Sequence, residues 1–262
     1  MVDRLKRVAR RAGIVSASRA FRRAMVTRRD PQRVWEQGRA REVAFWERVL
    51  PSRLAKGGLY TDATSGQSRA DPEAPIGDVV MSELLDRIPG RAVAILDVGA
   101  GPLTAVGKTH PGKALQITAT DPLADDYDRI LDELDFEPPV RTIAVRGEDL
   151  LNRFERGSFD IAFARNSIDH AADPVEVIRT MLALVKPGRF VVLWHQPAEG
   201  ERWRYHGLHQ WNFVYEDGAL VIRRPRCGTV RVDDSFDAVA AAESFLRNGW
   251  IGSVLTKAED PA

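Results

Sequence analysis

The sequence predicts an α/β fold, a mostly parallel sheet covered on both faces by helices. Three observations predict it. Short apolar runs recur at 92–98, 115–120, 141–145, 159–164 and 190–194. Helical stretches at 78–87, 123–134 and 173–185 fall between them. A glycine turn, Gly99-Ala100-Gly101, follows directly on the first apolar run. Strands of a parallel sheet are buried on both faces and read as continuous apolar runs, and their crossovers are helices.

The elements before this core differ in character. Residues 1–41 hold thirteen basic and three acidic residues, a net +10, while the rest of the chain carries about −9. Such a head meets an anionic partner or the acidic body of its own chain. Residues 4–25 have the pattern of a basic amphipathic helix, which suits packing of its Leu5, Val8 and Ile14 side on the body, a disordered segment, or an anionic membrane surface. Arginines interrupt every apolar stretch there, so no signal peptide is expected, and no run of 18 apolar residues crosses a membrane. A cytoplasmic protein is expected, membrane-peripheral if the basic head finds a lipid surface. The single cysteine, Cys227, excludes an intramolecular disulfide and a thiolate-rich metal cluster.

Residues 32–50 read as a helix, with Val34, Trp35, Val43, Phe45, Trp46, Val49 and Leu50 on one buried stripe and Pro51 as its stop. Residues 56–76 are rich in Gly, Ser, Thr, Asp and Pro and read as a loop or mobile lid. The boundary falls at 77/78: a basic N-terminal helical extension with its lid-like loop over 1–77, and the α/β domain over 78–262.

Five motifs lie where an open α/β sheet binds ligands, beyond the carboxyl ends of its strands. The first is Asp97-Val98-Gly99-Ala100-Gly101, whose glycines let backbone approach a ligand. A dinucleotide fingerprint would need Gly at 104, where Thr104 stands, and no phosphate-loop Gly-Lys-Thr or Gly-Lys-Ser occurs. The second is Asp121 at the next strand end, placed to accept hydrogen bonds from a ribose diol or to cap the following helix. The others are Gly147-Glu148-Asp149, the run from Phe159-Asp160 to Asn166-Ser167-Ile168-Asp169-His170, and the turn Lys186-Pro187-Gly188-Arg189.

In this order the motifs resemble the class I S-adenosylmethionine-dependent methyltransferases over roughly residues 78–197, with a closing strand near 250–257. The resemblance implies a Rossmann-like, seven-stranded methyltransferase sandwich with N-terminal helices and an insert after strand 5. It implies S-adenosyl-L-methionine as cofactor, with Asp97, Gly99 and Gly101 against its methionine part and Asp121 on the ribose hydroxyls. Glu148 or Asp149 is implied at the adenine amine, Glu148 preferred, and Asn166 beside the methionine carboxylate or the substrate.

A sulfonium methyl is already activated, so the protein mainly aligns a nucleophile, and a hydroxyl acceptor also needs a base or metal. His170, His195 and His209 are the expected bases, because they follow strand ends or the adjoining loop. The segment 196–214 mixes Trp203, Tyr205, Trp211 and Phe213 with polar groups, which suits a polyhydroxyl ligand or a packed amphipathic segment. Magnesium is weighed as an aid to such an acceptor, with Glu201, Asp169 and His195 in reach by sequence but in no spaced motif. The expected reaction is methylation of a hydroxyl on a small molecule or saccharide. The alternatives are nitrogen or carbon methylation of a small molecule, a nucleic-acid methyltransferase drawn by the basic head, and a non-catalytic binding protein on this fold. Nucleic acid is disfavoured, because the basic residues lie outside the core and no Asp-Pro-Pro-Tyr or Asn-Pro-Pro-Tyr follows the fourth strand. A homodimer completes the expected partners.

Overall fold

The computed structural model describes residues 31–55 and 68–259. The segment 4–25 and most of the glycine- and serine-rich loop lie outside the described residues. The chain order is α1 (Pro31–Leu54), α2 (Val79–Arg87), β1 (Ala92–Val98), β2 (Ala114–Asp121), α3 (Ala124–Glu133), β3 (Thr142–Ala144) and β4 (Phe159–Arg165). There follow α4 (Pro174–Leu184), β5 (Val185–His195), α5 (Glu199–Arg202), β6 (Asn212–Glu216), β7 (Ala219–Arg224) and β8 (Gly228–Arg231). The last elements are α6 (Val232–Phe236), β9 (Ala240–Arg247) and β10 (Trp250–Lys257). Short 3₁₀ turns at Gly147–Asn152 and Ile168–His170 follow β3 and β4.

Seven strands form one sheet in the order β3-β2-β1-β4-β5-β10-β9, with β10 antiparallel to both its neighbours. Alternation along each strand splits the core. Leu96, Val98, Ala162 and Val191 pack with Val177, Ile178 and Met181 of α4. Val93, Ile95, Phe163 and Trp194 pack on the other face with Met81, Leu84 and Leu85 of α2. Asp78 and Asp173 cap α2 and α4 through their side chains, and Pro174 sits in the first turn of α4.

Helices do not cover the whole sheet. The insert after β5 extends beyond 214 as a second sheet, β6-β7-β8. Its Phe213, Leu220 and Ile222 join Val232 and Phe236 of α6 against Val191, Leu193 and Leu255. Two further expectations need correction. Pro51 does not end α1, which runs to Leu54. A proline in the last turn removes one backbone hydrogen bond, and burial of Leu50 with Leu54 against Leu103, Ile130 and Leu131 offsets it. The Lys186–Arg189 turn also lies inside β5, as an irregularity where Phe159 pairs Val185 but Ile161 pairs Phe190.

That bulge turns both basic side chains onto Asp160. Lys186 Nζ donates to both carboxylate oxygens at 2.9 Å, Arg189 Nε lies 3.4 Å away, and Ala94 N donates at 3.0 Å. Asp160 is buried, while Lys186 is partly in water. Breaking a buried pair costs about 3–5 kcal/mol, and solvent screening of Lys186 brings the expected cost of Asp160→Ala to about 2–3 kcal/mol. Urea unfolding of the wild type and of this variant measures it.

Candidate functional site

The sheet order reverses between β1 and β4, where a crevice opens beyond the carboxyl ends of the strands. A cavity of about 610 Å³ occupies it, and Asp97, Gly99, Gly101, Asp121, Glu148, Asn166 and His170 all line it. Asp149, His195 and His209 are not among its lining residues.

The turn after β1 needs its glycines. Gly99 and Gly101 have φ +72° and +69°, a region costly for a residue with a Cβ. A Cβ on Gly99 would lie 2.3 Å from Ser167 Cβ. Thr104, which breaks the dinucleotide fingerprint, holds this turn together. Its hydroxyl donates to Asp97 Oδ2 at 2.5 Å and accepts from Val106 N at 3.0 Å. Asp97 thus organises the loop while also reaching the cavity wall.

Asp121 accepts from Gly101 N at 3.1 Å and from Leu123 N at 2.9 Å. The same carboxylate therefore ties the glycine turn to the start of α3. Burial pushes Asp97 and Asp121 up to about 6, against the opposing pull of their hydrogen bonds. The unfolded chain releases these protons near pH 4 and the folded chain near pH 6. Their contribution to stability is therefore full below about pH 4 and is lost as pH rises through about 6, by up to about 1.4 kcal/mol per pH unit for each group. The expected result is a wild-type stability that falls, relative to Asp121→Asn, between pH 4 and 6.5, measured by urea unfolding.

Glu148 accepts from Ala172 N at 2.9 Å and Asp173 N at 3.3 Å, with Arg146 3.6 Å away. It joins the 3₁₀ turn after β3 to the start of α4 at the cavity wall, whereas Asp149 is exposed. Asn166 adopts φ +48°, receives Gln196 N on Oδ1 at 2.9 Å and donates to Glu199 Oε2 at 3.3 Å.

The histidines divide. The His195 ring is buried and stacks on Phe213 at 3.9 Å. Neither of its nitrogens has a hydrogen-bond partner among the described residues, and burial pushes its pKa down to about 4. His170 and His209 instead meet Asp169. His209 Nδ1 is 2.8 Å from Asp169 Oδ2, His170 Nε2 is 3.7 Å from the same oxygen, and the two ring nitrogens are 3.0 Å apart. Burial disfavours charge on both Asp169 and His209, yet Asp169 is held below its usual range by the facing histidines and His209 above its own by Asp169. Glu201 is exposed and lies outside this cluster.

One expectation about the approaches to the site changes. The residues of α1 do not form one buried stripe: Leu50 is buried, Phe45 is exposed, and Trp35 and Trp46 line the cavity with Glu42 and Arg53. The side chain of Val34 lies outside the described residues. Arg146 sits 4.6 Å over the Trp35 ring, and Trp46 meets Tyr127 edge-on at 6.0 Å. Helix α1 is thus a wall of the cavity, held to α3 by Arg39–Asp126 and Glu47–Arg129. A tryptophan pair in a helix with no consistent apolar face was the available signal. The described end of the lid-like segment, residues 68–76, is pinned: Lys108 N donates to Ala74 O at 2.6 Å and Ile76 N to Thr109 O at 2.8 Å. Of the insert aromatics, only Trp203 is largely exposed, and it stacks on His209 at 5.3 Å.

Residues 96–193 match the family model described as "Methyltransferase domain". No curated protein matches the chain. Among solved structures, the CurJ carbon methyltransferase is 16% identical over 69% of this chain and 52% of that one, with a TM-score of 0.48. The YcgJ protein of Bacillus subtilis is 17% identical over 69% and 97%, with a TM-score of 0.40. A Haemonchus contortus phosphoethanolamine N-methyltransferase, bound to phosphomonomethylethanolamine and S-adenosylhomocysteine, is 14% identical over 71% and 54%, with a TM-score of 0.43. The chain spans about half the length of the first and third of these. The matched segment runs from within β1 into β5, and it carries the glycine turn and the strand-end carboxylate Asp121. On this footing residues 96–193 are a methyltransferase domain, in keeping with the class I family that the motifs resemble, and its cofactor is S-adenosyl-L-methionine.

Proposed function

We propose that this enzyme methylates a hydroxyl oxygen of a small polyhydroxylated molecule, of the saccharide type. The observation that carries the reading is the Asp169–His170–His209 cluster, which meets the cofactor cavity through His170. An amine or thiolate acceptor needs little beyond orientation, whereas a hydroxyl must lose its proton as it attacks.

The residues present suit S-adenosyl-L-methionine, which when bound supplies an electrophilic methyl on a sulfonium. Gly99 and Gly101 leave backbone open to the methionine part, Asp121 faces the ribose, and Glu148 stands at the adenine end. Trp35 and Trp46 exclude water from that end. Asn166 and Gln196 lie where the acceptor meets the cofactor. The cluster at His170 promotes loss of the acceptor proton, and Trp203 offers an exposed ring face to a sugar.

Calorimetry with S-adenosylhomocysteine tests the cofactor assignment. Asp121→Ala is expected to weaken binding at least about tenfold, because charge-assisted hydrogen bonds to a diol are lost. Unchanged affinity in a folded variant rejects the ribose role. A mass-spectrometric screen of sugars against amines and thiols tests the acceptor, and turnover of amines alone rejects the hydroxyl reading.

A further inference from the structure

We propose that Asp169, His170 and His209 form a binding site for one divalent transition-metal ion at the acceptor end of the cavity. The proposal deepens the hydroxyl-acceptor reading, since the ion would act on that hydroxyl, but the site itself stands on its own geometry.

Three potential donor atoms converge, with Glu199 beside them. His209 Nδ1 lies 2.8 Å from Asp169 Oδ2, 3.0 Å from His170 Nε2 and 3.7 Å from Glu199 Oε2, and His170 Nε2 lies 3.7 Å from Asp169 Oδ2. Ligands held about 2.0–2.1 Å from a metal are roughly 2.9 Å apart at a right angle and roughly 3.3 Å apart at the tetrahedral angle. The spacings found bracket those values. A pure hydrogen-bond network explains them less well. The same nitrogen of His209 faces both the carboxylate and the second imidazole, and one N–H directed at Asp169 leaves the His170 lone pair facing a nitrogen it cannot fully share.

A second observation points the same way. Asp169 is about 1% exposed, and its other oxygen, Oδ1, is buried with no hydrogen-bond partner among the described residues. Buried carboxylate oxygens are rarely left so, and a cation beside the group compensates for its desolvation. The surroundings hold the ligands in place: Trp203 stacks on the His209 ring, Gln210 N donates to Asp169 O at 3.2 Å, and Asn166 Nδ2 donates to Glu199.

The donor set selects the ion. Two imidazoles with a carboxylate suit zinc, manganese, iron or cobalt, whereas magnesium prefers oxygen ligands and water. This differs from the magnesium weighed from the sequence, and beside Asp169 it places the ligands on His170 and His209 instead of His195 and Glu201. At the acceptor the ion withdraws electron density from the hydroxyl. The O–H bond then breaks with its proton passing to water, the oxygen bonds the methyl carbon, and the carbon–sulfur bond breaks with its electron pair remaining on sulfur.

The test uses untagged full-length protein, stripped with a chelator and titrated with Co²⁺ and with Zn²⁺. One equivalent of Co²⁺ per chain is expected, with visible d–d absorption that Zn²⁺ bleaches and a large excess of Mg²⁺ does not. His209→Gln and Asp169→Asn are expected to weaken Co²⁺ binding at least tenfold, while the exposed His206→Ala leaves it unchanged. Folding of each variant is judged by S-adenosylhomocysteine binding. Should either fail to fold, His170→Gln serves instead and is expected to weaken Co²⁺ binding at least tenfold. Absence of Co²⁺ and Zn²⁺ binding by wild type that still binds S-adenosylhomocysteine overturns the site and leaves the methyltransferase reading standing. Binding undiminished in the folded variants, or displacement by Mg²⁺, also overturns it. Loss of the hydroxyl-acceptor reading shows separately, in the acceptor screen.

Discussion

Gly99→Ala is expected to weaken S-adenosylhomocysteine binding by about a hundredfold or more, whereas Gly101→Ala, two residues on, costs about tenfold. Both glycines have left-handed φ, and an L side chain there costs about 1–2 kcal/mol. What separates them is the neighbour. A Cβ at Gly101 would stand 3.6 Å from the Trp46 ring, an ordinary contact. A Cβ at Gly99 would stand 2.3 Å from Ser167 Cβ and 2.6 Å from its Oγ. Ser167 cannot yield cheaply, because its hydroxyl donates to Val98 O at 2.8 Å and its neighbour Asn166 is tied to Trp194 O and to Gln196 N. Relief must move the loop after β4, which carries Asn166 and His170 past the cavity. Each tenfold in affinity is about 1.4 kcal/mol, so where the free turn relaxes out of this φ and binding must restore it, the φ cost supplies one factor of ten and the displaced loop the second. The double variant Gly99→Ala, Ser167→Gly removes the clash and keeps the φ cost, so it should recover most of the second factor. Calorimetry on the four proteins checks this, and wild-type affinity in Gly99→Ala would falsify the placement of the methionine moiety at this turn.

The central sheet was legible because burial on both faces leaves few polar positions in a strand. Val93 to Val98 and Phe159 to Ala164 are apolar apart from Asp97 and Asp160, with visible ends, and the observed strands β1, β2, β4 and β10 lie within a residue or so of the expected ranges. The second sheet was not legible in this way. Strands β6 and β7 are short and end in charge at Glu216, Arg223 and Arg224, so they read as a polar insert. The hairpin signal was nevertheless present in Asp217-Gly218, both with positive φ, between runs of Asn212–Glu216 and Ala219–Arg224.

The site shows a similar limit. Motif order located the glycine turn, Asp121, Glu148 and Asn166, because chain position after a strand fixes which end of the sheet a residue occupies. It does not fix which face a ring enters. His195 ends β5 as expected, but alternation turns it away from Trp194 and onto Phe213, behind the cavity wall. Helix α1 was hidden for another reason. Its tryptophans face a cavity instead of a packed core, so they give no regular apolar stripe, and only the folded arrangement joins them to residues 97–122.

His170→Ala is expected to lower turnover by about 10²–10⁴-fold while changing S-adenosylhomocysteine affinity less than about threefold. His170 is the histidine that lines the cavity, and it lies in the loop after β4, on the acceptor side of Asn166. Its Nε2 points to His209 and Asp169, away from the groups at the ribose and adenine ends, so the cofactor loses no partner in the variant. The loss falls on the acceptor proton, whether a bound ion weakens the O–H bond or the imidazole accepts the proton itself. The Asp169–His209 contact at 2.8 Å survives in the variant, which keeps Asp169 from becoming an uncompensated buried charge and limits the damage to stability. His195→Ala makes the contrast. It removes a buried ring from against Phe213 and is expected to cost about 2–4 kcal/mol of stability through the cavity it leaves, with turnover per folded molecule within about threefold of wild type. Single-turnover rates, cofactor calorimetry and urea unfolding on both variants separate the two roles. Equal loss of turnover in folded His195→Ala, or unchanged turnover in His170→Ala, would assign the acceptor proton to a different group.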